Sequence, residues 1–328
     1  MILLLGASGY IGRAFASELR RRGHSFIPLT RRAFDYTRFD FLFDYLRTMR
    51  PVFLVNAAGY GGNCGGQMAE GEREKMMAAN AILPQMIARV CLMTKTPWGH
   101  VSSGAIYSGA KVQKNQTFGI ERELGRADLL ELFEAHPERF SGFTELDDPN
   151  FSFHAAPCSF FSGTKALAEE AIRDLGQIYI WRLRLPFNER DEPCNWLCRM
   201  QVEPEISNNI NSLSHLEDCV KACLDVWEMR APFGIYNVTN PGAMTTGRIS
   251  EEMERVLKMH LRPVPVSSQA PKIPQSNCIL DSGKLLKAGV KLRPIAEAFE
   301  DCLDRLRLAS HGANPFERAS RAFLATSH

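Results

Sequence analysis

The sequence has almost no excess of charge of either sign: 39 Lys and Arg stand against 37 Asp and Glu, a net charge of +2. A chain so balanced lacks the electrostatic footprint of a nucleic-acid or membrane-surface binder. Long apolar runs are also missing. The opening Met1-Ile2-Leu3-Leu4-Leu5 breaks at Gly6 and is too short for a signal-peptide core or a membrane span. No later stretch reads as a span, so no membrane contact and a cytoplasmic location are expected. The C-x-x-C spacing of a zinc knuckle is absent. Nine cysteines, an odd count, include the C-x-x-x-C pairs Cys194/Cys198 and Cys219/Cys223, with His215 the histidine nearby. Free thiols used as small apolar residues are expected, and no metal site.

What is present is an alternation of strand and helix. Residues 2–5 read as a buried parallel strand, 11–22 as a helix ending on Arg20-Arg21-Arg22 before Gly23, and Ser25–Leu29 as a second strand. A helix over 39–49, a strand over 52–55, a helix over 72–93 and a strand ending at 100–102 follow. A helix over 162–175 and the strand Ile178–Leu183 extend the series. This predicts an α/β fold, a Rossmann-type doubly wound parallel sheet over residues 1–186. Residues 187–310 read as a smaller mixed substrate lobe with a helix over 296–308, and 311–328 as a loosely ordered tail. The stretch 111–150 is long, charged and helix-prone around Glu121–Leu132; 111–137 within it reads as an insertion.

The first loop is Gly6-Ala7-Ser8-Gly9-Tyr10-Ile11-Gly12, a G-x-x-G-x-x-G between strand and helix. Gly6 permits the tight turn, Gly9 lets backbone approach a pyrophosphate, and Gly12 lets helix and sheet pack closely. Helix N–H groups then face the phosphates. A dinucleotide cofactor is expected. The acidic residue usual after the second strand is missing; Thr30-Arg31-Arg32 stands there. Two cations suit a 2′-phosphate, so NADP is preferred and NAD remains possible. Asp35 follows and is placed near the adenine.

Three further stretches fall in order: Asn56-Ala57-Ala58-Gly59, Ser102-Ser103-Gly104-Ala105-Ile106-Tyr107, and Phe161-Ser162-Gly163-Thr164-Lys165. With the glycine loop they resemble the extended short-chain dehydrogenase/reductases. Phe143–Phe151, Ser159–Ala166, Arg182–Pro186, Tyr236–Gly242 and Asp281–Leu285 are similar to the nucleotide-rhamnose synthase/epimerase-reductases and to the dTDP-4-dehydrorhamnose reductases. The resemblance implies a nicotinamide cofactor under the N-terminal domain, contacted also by Ala57, Ala58, Gly59 and Pro186. It implies a nucleotide-sugar beneath the C-terminal lobe and hydride transfer to a 4-keto sugar. Ser103 takes the place of the hydroxyl that binds the carbonyl oxygen, and Lys165 that of the lysine holding the nicotinamide ribose. A homodimer is a possible assembly.

The chain departs from that pattern at the proton donor. The tyrosine expected four residues before the lysine is Phe161, which has no O–H. General acid catalysis contributes roughly 10²–10⁴-fold, so turnover is expected to be impaired or altered. Three readings follow. One is an inactivating tyrosine-to-phenylalanine change. Another is an enzyme using a different acid, among Tyr107, His154, Cys158 and water. The third is a non-redox NADP-binding regulatory subunit, as in the protein that regulates methionine adenosyltransferase and resembles the same group. Ala105 stands where the epimerising relatives have a cysteine, and Arg199 at best matches their lysine, so epimerase or dehydratase chemistry is a lesser alternative. Asn63, Tyr107, Arg184, Asn188, Asn195 and Arg199 are the candidate substrate groups, with Arg184 or Arg199 meeting a diphosphate.

Overall fold

The computed structural model describes residues 1–61, 70–114, 117–200, 206–258, 263–264 and 274–310. The N-terminal half begins β1 (Ile2–Leu5), α1 (Tyr10–Arg21), β2 (Phe26–Leu29), α2 (Phe39–Met49) and β3 (Phe53–Asn56). Next come α3 (Glu70–Met77), a π-helical turn over Ala78–Ile82, α4 (Leu83–Thr94) and β4 (Trp98–Ser103). A small excursion follows: β5 (Ala110–Lys114), β6 (Thr117–Glu121), α5 (Ala127–Ala135) and β7 (Phe140–Ser141). The chain then returns through α6 (Phe160–Ile172) and β8 (Ile178–Leu183). The C-terminal half holds β9 (Pro186–Phe187), α7 (Trp196–Met200), β10 (Ile206–Ser207), β11 (Ile210–Asn211), β12 (Ser214–His215) and α8 (Leu216–Glu228). It ends with β13 (Gly234–Asn237), β14 (Met244–Thr245), α9 (Thr246–Leu257), β15 (Pro263–Val264), α10 (Gly283–Lys287) and α11 (Ile295–Ser310).

Six strands form the central sheet in the order β13-β8-β4-β3-β1-β2, and every neighbouring pair is parallel. β1 and β3 are buried at every residue, which is why they read as continuous apolar runs rather than alternating ones. One face packs against α1 and α8 through Phe15, Trp181, Cys219 and Cys223; the other packs through Leu42, Ile87 and Ile172. The doubly wound fold is as expected, but the boundary at 186 does not part the sheet. Its edge strand β13 and the covering helix α8 lie beyond that residue, because β8 needs a parallel neighbour on its free side.

Two other expectations are corrected. The helical stretch Gly71–Thr94 is, by length and composition, apolar enough to cross a membrane, against the expectation that no stretch would be. Half of its most apolar window is buried, with Leu83, Ile87, Ala88, Val90 and Cys91 packed in the core beside Leu3, Leu5 and Leu54. The excursion after 110 is only partly helical. β5 pairs antiparallel with both β6 and β7, and Glu121 belongs to a strand, not a helix. The tail 311–328 lies outside the described residues.

Candidate active site

The glycine loop is shaped by crowding. Gly6 has φ +73°, and a Cβ there would stand 2.5 Å from Ala58 N. A Cβ on Gly12 would overlap Gly6 O and lie 2.8 Å from Gly6 C. Gly9 N donates to Gly6 O at 3.0 Å, closing the turn. The N-terminus of α1 has Gly9 as its cap, no side-chain cap and no acidic residue in the first turn. Its leading N–H groups are therefore open to an anion. A dinucleotide pyrophosphate fits this geometry. Ser8 is exposed in the loop, and its carbonyl accepts from Arg13. Ile11 packs on the core. Tyr10 is a partial correction. Its ring is buried and its hydroxyl donates to Asn188 Oδ1 at 2.9 Å, so only its backbone faces the cofactor position.

Arg31 and Arg32 are exposed beyond β2. Asp35 Oδ1 accepts from Thr37 N at 3.2 Å, and the Thr37 bonds hold its carboxyl below the usual range. Tyr36, not anticipated, is buried in the core with Leu3, Leu5 and Leu29, and burial raises the pKa of its phenol. At the end of β3, Ala57 and Ala58 are partly buried and Gly59 is exposed. Asn56 Oδ1 accepts from Ala58 N at 3.1 Å and sets that turn.

Asn80 is a further residue the sequence reading missed. It is fully buried in the π-helical turn, and such turns are frequent at functional sites. Its side chain bonds both Tyr60 N and Tyr60 O at 2.8 Å and so holds the loop after Gly59. The available signal was an asparagine among the apolar residues of that helix.

Ser159 caps α6 by accepting from Ser162 N at 3.1 Å, which places Phe161 in the first turn and Lys165 one turn later. Lys165 is buried, and its ammonium donates to Val101 O at 3.2 Å and lies 5.9 Å from the Phe161 ring centroid. Burial lowers its pKa to about 8, with Glu169 one turn on opposing the shift. A Cβ on Gly59 would come within 3.6 Å of the Lys165 ammonium, so the β3 loop and α6 meet there. Ser103 ends β4, partly buried, and its Oγ accepts from Ala105 N at 3.1 Å.

A cavity of about 410 Å³ opens at this point, walled by Ser103, Ala105, Phe161, Arg184, Pro186, Cys194, Arg199, Asn211 and Ser276 among others. The predicted residues Ser103, Phe161, Arg184, Pro186 and Arg199 thus meet in one place. Arg184 is buried and partly engaged: it donates to Asn211 Oδ1 at 2.6 Å and to Ser276 O, and burial lowers its pKa.

Three predicted substrate residues do not meet there. Tyr107 is fully buried, stacked on Phe143. Its hydroxyl donates to Asp147 O at 2.6 Å and accepts from Arg182 at 2.9 Å. Asn188 links Tyr10 to Glu217, donating to Glu217 Oε1 at 3.0 Å. Asn195 is buried and donates to Asn188 O at 2.6 Å and Arg190 O at 2.8 Å. Each is consumed in bonds to other parts of the framework, because a buried amide or phenol must find partners. Asn63 lies outside the described residues. Of the alternative acids, Tyr107 is thereby removed. His154 is exposed and faces Glu170 at 3.2 Å, and burial raises the thiol pKa of the partly buried Cys158.

The structure of a dTDP-4-dehydrorhamnose reductase from Bacillus anthracis, solved in complex with NADP, superposes with a TM-score of 0.68. It covers 93% of this chain and 97% of that one at 19% identity. The two chains share the fold, a doubly wound parallel sheet with a C-terminal lobe. The family profile of the RmlD substrate binding domain matches residues 1–123. A trifunctional UDP-glucose 4,6-dehydratase/UDP-4-keto-6-deoxy-D-glucose 3,5-epimerase/UDP-4-keto-L-rhamnose-reductase of Arabidopsis thaliana is 25% identical over 295 residues, 87% of this chain. The chain spans only 39% of that relative's length. A bifunctional dTDP-4-dehydrorhamnose 3,5-epimerase/dTDP-4-dehydrorhamnose reductase of the same plant is 24% identical and covers 90% of both chains. In this chain the cavity lies where β4, β8 and the start of α6 converge on the C-terminal lobe.

Proposed function

We propose that the chain is an NADP-preferring, reductase-type protein for a nucleotide-activated 4-keto-6-deoxy sugar, with its hydride step slowed by Phe161. The observation that carries this reading is the cavity in which Ser103 and Phe161 share walls with Arg184 and Arg199, beside the buried Lys165. Bound at the glycine loop, the cofactor supplies the hydride. Ser103 donates a hydrogen bond to the carbonyl oxygen and stabilises the developing charge. Lys165 holds the ribose hydroxyls, and the two arginines face the diphosphate. Relatives named as NADP-complexed or rhamnose-forming reductases support this assignment. Every described cysteine is a free thiol, which agrees with a cytoplasmic setting.

Phe161 leaves the alkoxide without its phenolic donor. Ser159, Ser162, Cys194, Ser207, Thr246 and Ser276 are hydroxyl- or thiol-bearing side chains on the same cavity wall as Ser103. The test is NADPH absorbance with a panel of 4-keto-6-deoxy nucleotide sugars, for this chain and for Phe161→Tyr. The tyrosine form is expected to oxidise NADPH at least about 100-fold faster. Equal rates would show that another acid suffices. Absence of oxidation in both, with NADPH still tightly bound, would overturn the reductase reading and leave the regulatory one, which the sequestered Tyr107 favours.

The cofactor preference has its own check. Removing Arg31 and Arg32 together (Arg31→Ala with Arg32→Ala) is expected to lower the NADPH-to-NADH affinity ratio by at least about tenfold. An unchanged ratio in equilibrium fluorescence titrations would reject the 2′-phosphate role.

A further inference from the structure

Away from the cavity, a second group of chemistry-bearing side chains meets where the loop after β9, the junction of β12 and α8, and α11 pack together. Glu189, His215 and Cys302 bring a carboxylate oxygen, an imidazole nitrogen and a sulfur within 4.8 Å of one another. Glu217 adds a second carboxylate, with Oε2 3.7 Å from His215 Nε2; Glu189 Oε2 lies 4.0 Å from the same nitrogen. His215 is 1% exposed and Cys302 is fully buried.

The decisive feature is that these atoms lack partners. His215 Nε2, Glu189 Oε2 and Glu217 Oε2 are all buried, and none makes a hydrogen bond. Buried polar atoms are almost always satisfied, so three that converge on one point indicate something missing between them. The neighbouring Asp218 is not free to fill the gap. It accepts from Arg293 Nε at 2.7 Å and Asn240 Nδ2 at 3.1 Å. Its Oδ2 stands 3.3 Å from His215 Nδ1. His215 Nδ1 likewise makes no hydrogen bond, but the Asp218 carboxylate lies on that side of the ring, as carboxylates do behind metal-bound histidines, and a small turn of the imidazole would let Nδ1–H donate to it and leave Nε2 as the lone-pair nitrogen.

We propose that Glu189, His215, Glu217 and Cys302 form a binding site for a divalent cation of borderline softness, zinc in particular. The mixed nitrogen, sulfur and oxygen donors suit zinc, while calcium and magnesium prefer oxygen alone. Tetrahedral zinc holds its ligand atoms roughly 3.5 Å apart, so Glu189, His215 and Cys302 need only a small contraction, while Glu217, 3.7 Å from His215 Nε2, must swing toward the other two to complete the set. Four protein ligands make a closed, structural site rather than a catalytic one. The ion would pin α11 to the lobe at β12. Through Glu217, Asn188 and Tyr10, the same hydrogen-bond chain reaches the first turn of α1.

The test uses the full chain, stripped with a chelator and titrated with zinc or cobalt(II). Expected are one zinc per chain by elemental analysis and a cobalt spectrum with tetrahedral ligand-field and thiolate-to-metal charge-transfer bands. Cys302→Ser should remove the charge-transfer band, and Asp218→Asn should weaken zinc at least about tenfold. Cys194→Ser, at the exposed cysteine, should leave both unchanged. No stoichiometric zinc, or zinc bound equally by Cys302→Ser, would overturn the proposal. Should Cys302→Ser fail to fold, a cobalt spectrum of the unaltered chain without the thiolate band would overturn it equally well.

Discussion

Lys165 shows how a single residue can be kept at a loss to the fold. Its ammonium is buried with the Val101 carbonyl as oxygen partner, and burial lowers its pKa from 10.5 to about 8. Between those values the unfolded chain binds more protons than the folded one, so stability rises with pH across the window. Below about pH 8 the charged lysine costs the fold up to roughly 3 kcal/mol. Lys165→Met is therefore expected to raise stability in urea unfolding at pH 7 and to lose that advantage as pH climbs toward 10.5. The same variant should lose NADPH affinity. A variant less stable than the parent at pH 7 would contradict the cost assigned to this charge. The buried Arg182–Glu169 pair is the contrast: Arg182 donates to Glu169 Oε2 through Nε and Nη2 at 2.9 and 2.7 Å, and the Ser102 hydroxyl donates to the same carboxylate.

Among the elements, α1 and the turn before it depend most on one atom. A Cβ at Gly12 would collide with the Gly6 peptide, and Gly6 itself has no room for a Cβ because Ala58 N would stand 2.5 Å from it. Backbone on both sides cannot yield as a flexible side chain could. Gly12→Ala is expected to cut NADPH affinity at least about tenfold and to lower stability by roughly 1–3 kcal/mol. Calorimetric titration and thermal unfolding would check both, and unchanged binding would mean that the loop tolerates displacement. These features were legible because glycine spacing and a short apolar run are local signals. Most element boundaries moved by only a residue or two for the same reason. The excursion after β4 was misread because the charged run Glu121–Leu132 dominated its pattern. Its strand β6 leaves Phe118 and Ile120 exposed, so no buried apolar face announced a sheet.

Across the whole molecule, that excursion is not a free lid. Val112, Leu129 and Phe140 are buried in one cluster with Ile210 and Ile279, which come from the C-terminal half. Phe143 pairs with Leu280 in a β-bridge, and Asn237 bonds the backbone of both Phe143 and Asp281. Replacing residues 111–140 by a short linker is expected to uncover this cluster, remove several kcal/mol of apolar burial and leave the chain largely insoluble. A soluble deletion variant with unchanged thermal unfolding would instead mark the excursion as a separate, dispensable layer.

The sequence alone determined the parallel sheet, the phosphate loop and the pairing of Phe161 with Lys165. Each depends on spacing within one or two neighbouring elements. Only the tertiary structure decided that Tyr107, Asn188 and Asn195 hold the framework and do not face the cavity. Their partners lie far along the chain: Tyr10 reaches Asn188, and Tyr107 reaches Asp147 and Arg182. A buried polar group must be satisfied by whichever element packs against it, and no local pattern records which element that is. The same packing brought Glu189, His215 and Cys302 together from three separate parts of the C-terminal half, with Glu217 beside the imidazole.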